Sequence, residues 1–83
     1  LNSLYKALAK VENADDLVSF IKALEEDFQH DKDKWENWTV PDYLDAMAAW
    51  IRDWSSSPEN DIDWNKADLK TIARILYMGK YYE

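Results

Sequence analysis

The 83-residue chain has no cysteine, one glycine, two prolines and one histidine. Each scarcity removes a class of answers. Without cysteine, neither a disulfide nor a thiolate-bound metal can hold a small domain together. One glycine is too few for a glycine-rich phosphate loop, and no Asn-Gly or Asp-Gly pair marks a β-hairpin. A zinc site takes several His or Cys ligands, and only His30 is on offer, so no metal site and no cofactor is expected. A Ser-His-Asp arrangement would need that histidine buried beside a serine. It stands instead in the most polar stretch, Gln29-His30-Asp31-Lys32-Asp33-Lys34, and reads as a solvated surface residue. No apolar run is long enough to span a bilayer and no signal peptide is visible, so no membrane partner is expected. The lack of cysteine fits a cytoplasmic protein, and the cytoplasm is the expected location.

Positive charge is also scarce. Ten Lys and Arg face 17 Asp and Glu, for a formal net charge of -7. A nucleic-acid backbone or an anionic membrane surface calls for a basic face, so both are disfavoured as partners. A basic protein would instead be steered toward this chain. What the sequence has in quantity is apolar bulk: 47% hydrophobic residues, 14% aromatic, with five tryptophans. Each buried aromatic removes roughly 150–250 Å² from water, enough to give one small domain a core.

Wherever hydrophobic periodicity is clear it is close to 3.6 residues, and the expected fold is all-α: a single domain of about four helices packed around a central third helix. A short first helix runs from Asn2 to about Lys10, with Asn2 or Ser3 as cap and Leu4, Leu8 and Val11 on one side. The second begins at Asn13, whose Asn-x-x-Asp spacing to Asp16 is a capping-box variant. Leu17, Phe20, Ile21, Leu24 and Phe28 form its apolar face. Thr39 caps the third, with Asp42 three residues on and Pro41 in the first turn, where a missing N–H is harmless. Tyr43, Met47, Trp50 and Trp54 make one stripe, and Leu44, Ala48 and Ile51 an adjacent one. The linker Ser55–Asn60 leads to a fourth helix, expected to be capped by Asn65. Gly79 is read as its left-handed C-terminal cap, and Lys80 as a complement to the helix dipole.

The aromatic residues outside the helices carry the functional question. Trp38 and Trp64 directly precede expected caps and are read as hydrophobic staples that fix the angle at which the chain joins each helix. Trp50 and Trp54, at helical spacing, are read as core. Trp35 has no such account. Ringed by Asp31, Asp33 and Glu36, with Asn37 beside it, it is the aromatic expected to face a protein partner. Asp61-x-Asp63-x-Asn65 matches the start of a calcium loop, but Lys66 and Ile72 stand where glycine and glutamate are required, and the match is rejected.

Trp35-Glu36-Asn37-x-Thr39-Val40-x-Asp42-Tyr43-Leu44-x-Ala46, followed by Ala49-Trp50, resembles the signature of an uncharacterised family of small, mostly bacterial domains of unknown function. Ala73-x-x-Leu76-x-x-Gly79-Lys80-x-Tyr82-Glu83 resembles that family's ending. The resemblance covers roughly the last half of the chain. It implies a small helical domain and shared roles for Glu36, Asn37 and the Lys80-x-Tyr82-Glu83 ending, with Asn37 tying the loop to a helix end as one structural option. It implies no activity. The expected function is a non-catalytic, acidic protein-binding module, in its most concrete form an immunity or antitoxin-like inhibitor of a basic protein. The alternatives are a structural or self-associating helical subunit, and a small carboxylate-based enzyme.

Overall fold

Caps and periodicity place the elements. The computed structural model describes residues 3–66 and 68–83. Four helices follow in order: α1 (Ser3–Ala9), α2 (Ala14–Asp31), α3 (Val40–Ser55) and α4 (Leu69–Tyr81), with a 3-10 turn at Lys32–Lys34. No strand occurs among the described residues. Asn2, one of the two caps expected for α1, lies outside them. Asn13 accepts from the Asp16 amide at 2.9 Å, and the Asp16 carboxylate reaches back to the Glu12 amide at 3.0 Å. Together they satisfy two donors that the start of α2 would otherwise leave bare. Thr39 Oγ1 accepts from the Asp42 amide, as its spacing predicts.

The fourth helix starts later than expected. Its cap is Asp68, which accepts from the Lys70 amide at 2.9 Å. Asn65 instead donates its amide to Asp63 Oδ1 within a turn. Trp64 is therefore too far upstream to staple α4. It packs edge-on against Trp50, ring centroids 6.1 Å apart, and donates its indole N–H to Asn60.

The core joins Leu4, Leu8, Val11, Phe20, Leu24, Trp35 and Ala73, with Phe20 and Ala73 completely buried. Burying a side chain such as Phe20 contributes about 1.5–3 kcal/mol. The hub of this arrangement is α4, not α3. α4 packs against α1, α2 and α3, whereas α3 meets only α4 among the helices. The wide apolar coverage of α3 that suggested neighbours all round is only half used: Ala46 and Trp50 are buried, while Val40 and Leu44 face solvent.

Gly79 is not a left-handed cap either. It lies within α4, and no described glycine has a positive φ. Its lack of a side chain serves packing between α3 and α4. A Cβ there would stand 2.6 Å from Tyr43 Cε1 and 2.8 Å from Met47 Cγ. Tyr43 is held against that spot by its hydroxyl, which donates to the Leu76 carbonyl at 2.6 Å. Burial pushes the Tyr43 phenol up to about 12.

Candidate functional site

The segment expected to reach toward a partner is folded inward. Trp35 is only 8% exposed. Its ring lies edge-on to Phe28 at 5.1 Å and stacks near Tyr43 at 6.0 Å. Its indole N–H donates to Asp27 Oδ2 at 2.7 Å. Lys80 Nζ donates to the same oxygen, also at 2.7 Å, and its side chain is 5% exposed. Lys80 thus stands in the last turn of α4, where its charge complements the helix dipole, and is also the cation of a largely buried pair. The exposed-anchor reading of Trp35 is corrected on this geometry: an indole gains more from two aromatic neighbours and a carboxylate than from solvent.

The neighbours of Trp35 divide into two groups. Asn37 is half-buried, and its side-chain amide donates to the carbonyls of Gly79 and Tyr82, both at 2.9 Å. The Glu36 amide donates to the Lys80 carbonyl at 3.0 Å. Asn37 therefore ties the loop to the end of α4, where helix carbonyls lack internal partners. The side chains of Glu36, Asp31 and Asp33 are exposed. The Glu36 carboxyl lies against Glu83, so the two ends of the signature meet. The five residues expected to form one binding surface are split between a lock and an acidic outer rim.

Electrostatics follow from these contacts. Burial pushes Asp27 up, but the hydrogen bonds from Lys80 and Trp35, with the Lys80 and Lys34 charges, outweigh it and hold the carboxyl below its usual range. Burial likewise pulls Lys80 down, and its bond to Asp27 and contact with Tyr81 reverse this and raise it. Glu36 is raised by its hydrogen bond with Glu83 and by the Glu83 charge. Asp27 escaped the sequence reading, yet it left a signal. It falls on the Phe20–Leu24 face of α2, where an acid has no reason to sit unless it is paired.

The exposed apolar surface lies elsewhere. α2 and α3 do not pack on each other, because α4 stands between them. Between the end of α2 and the start of α3 this leaves an open trough lined by Phe28, Trp38, Val40 and Tyr43. At about 100° per residue, Val18, Ile21 and Phe28 fall on one shoulder of α2, and Val40 and Leu44 on one shoulder of α3. Ile72 falls between the line of Leu69 and Leu76, which packs on the core, and Gly79, which touches α3. Among the described residues, Val18, Ile21, Trp38, Val40, Leu44 and Ile72 are large apolar side chains left between 42% and 71% exposed, and Trp38 and Val40 of these line the trough. Trp38, read as a staple onto Tyr43, lines the trough with that residue but stays 54% exposed. Its indole N–H donates to the Trp35 carbonyl at 2.8 Å, with Lys32 Nζ 5.0 Å from the ring centroid. The trough holds about 240 Å³.

His30 is exposed in the last turn of α2. With Ser3 and Asp31 it lines a shallow depression between α1 and α2. Among the described residues, no three His, Asp or Glu side chains are arranged to hold a metal ion. None of the described helices is long and apolar enough to cross a membrane.

Fold and lock together define a small all-α domain whose signature residues bind a loop to its last helix. The chain belongs to DUF7660, a family of unknown function, whose profile matches residues 13–83. The match begins at the Asn13 cap of α2, well before the half of the chain that carries the signature. Comparison with curated proteins and with solved structures found no match.

Proposed function

We propose that this chain is a non-catalytic protein-binding module that docks a basic partner on the trough between α2 and α3. One observation carries the reading: Phe28 and Tyr43 line an open trough together with Trp38 and Val40, which stand 54% and 71% exposed. Scattered exposed apolar residues are ordinary, whereas a contiguous patch marks an interaction surface. Tryptophan is enriched among the residues that dominate binding energy. The net charge of -7 selects the partner's sign, since opposite potentials speed encounter. An inhibitor of a basic enzyme, of the immunity or antitoxin kind, is the most concrete form of this function.

The test compares wild type with Leu44→Asp and Trp38→Ala, both at exposed positions. Each is immobilised and challenged with source-cell lysate at low and high salt, and the mass of the free chain is measured in parallel. Support is a basic protein retained by wild type at low salt, released at high salt, and lost by both variants at unchanged melting temperature. If the free chain is a dimer that Leu44→Asp dissociates, the face serves self-association and the module reading fails.

A further inference from the structure

Away from the trough, α1, α3, α4 and the segment after α3 enclose a cleft of about 550 Å³. This lies within the size range of small-ligand sites, about 300–1,000 Å³. Trp50 and Trp54 supply one wall, their planes 9° from parallel and centroids 6.2 Å apart. Tyr5 and Tyr77 meet edge-on at 6.2 Å and supply another. The Arg74 guanidinium lies 5.7 Å and 6.0 Å from the Trp50 and Trp54 ring centroids. It donates to both oxygens of Asp61, at 3.1 Å and 3.2 Å. Trp54 donates its indole N–H to Asp61 Oδ1 at 3.2 Å. Hydrogen bonds from Arg74 and Trp54 hold the Asp61 carboxyl below its usual range. Asp61 is therefore committed, and it braces both Arg74 and Trp54.

Lys70 borders the same cleft, exposed and with no ion pair among the described residues. The cleft thus sets two cations against one acid in a chain whose net charge is -7. We propose that it binds a small aromatic anion of the arene or indole carboxylate class. The ring would lie against the tryptophan and tyrosine walls, and the carboxylate would meet Lys70 and the outer face of Arg74. A cationic ligand would oppose both side chains. A neutral ring would leave the excess positive charge unused. A polyanion would extend into the field of the surrounding acids. A single carboxylate feels mainly the nearest charges, because exposed charges beyond about 8 Å are screened at physiological salt. The bracing by Asp61 fixes part of the site in advance, which lowers the ordering cost of binding. The cleft and the trough share no lining residue, so this inference stands or falls apart from the docking reading.

The test titrates 2-naphthoate into isotopically labelled protein and follows the tryptophan indole N–H resonances, with neutral 2-naphthol as control. Saturable shifts at Trp54 and Trp50 are expected, with naphthoate about tenfold tighter than naphthol. Lys70→Gln, at an exposed unpaired position, should remove most of that advantage while leaving naphthol affinity and melting temperature unchanged. Equal affinity for the two probes overturns the proposal. So do shifts centred on Trp38, or shifts that fail to saturate.

Discussion

Trp35 and Lys80, remote in sequence, donate to one and the same atom, Oδ2 of Asp27, each at 2.7 Å. The indole closes one side of the ammonium's environment and its ring lies 5.6 Å from Nζ. A loop, the end of the second helix and the end of the last helix are thereby fixed to a single carboxylate.

Asp27→Ala leaves the buried Lys80 ammonium without its carboxylate partner and should destabilise the fold by about 3–5 kcal/mol. Lys80→Met removes the charge and should cost less. The double variant Asp27→Ala/Lys80→Met should be more stable than Asp27→Ala alone. Urea unfolding of the three variants measures this. A loss below about 1 kcal/mol for Asp27→Ala would show that the pair is solvated.

Trp35→Ala removes a buried ring and the donor to Asp27. A loss of about 3–5 kcal/mol is expected, the usual cost of truncating a large buried aromatic. Circular dichroism melting reads it. An unchanged melting temperature would return Trp35 to the surface.

Gly79→Ala pits local preference against packing. Alanine is favoured inside a helix by about 1 kcal/mol. The added methyl, however, meets the Tyr43 ring, which its bond to Leu76 holds in place. Net destabilisation of about 1–3 kcal/mol is expected from overpacking. A rise in melting temperature would mean that the ring swings aside without loss.

Stability should vary with pH at both ends. Asp27 is depressed in the fold. Its contribution is present above its unfolded value of about 3.9 and is lost as pH falls through the folded one. Lys80 is raised, so its contribution is present below about 10.4 and is lost as pH rises through the folded value. Glu36 is a raised acid and runs opposite to Asp27. Its contribution is present below about 4.3 and lost as pH rises through the folded value. Urea midpoints from pH 3 to pH 7 should therefore rise less steeply in Asp27→Asn than in wild type, and more steeply in Glu36→Gln. Parallel curves for all three would refute the assignment.

Helix type and two of the caps were legible because they depend on neighbours in sequence. Asn13 and Thr39 announce α2 and α3 by spacing alone. Asp68 was hidden because Asn65 offers an equally good local cap, and the choice is made by where α4 must lie to meet the core. Gly79 misled for a related reason: glycine has two uses, and only the position of Tyr43 shows that space rather than backbone angle decides. The lock was half legible. A tie from Asn37 to a helix end could be named from the sequence, but which helix could not, and Trp35 looked free because its partners Asp27, Phe28, Tyr43 and Lys80 are spread over three helices. The trough was invisible, since exposure of Trp38 and Val40 depends on which helix becomes the hub.

That hub is the last of the four helices to be made. α1 and α2 can close on each other as they are synthesised, but α3 has no helical neighbour until α4 arrives. At about 5–20 residues per second, the face carrying Met47 and Trp50 waits bare until α4 is translated. A chain broken within α4 would be left with a helical hairpin and a stranded amphipathic helix, a better client for a chaperone or protease than a folding intermediate.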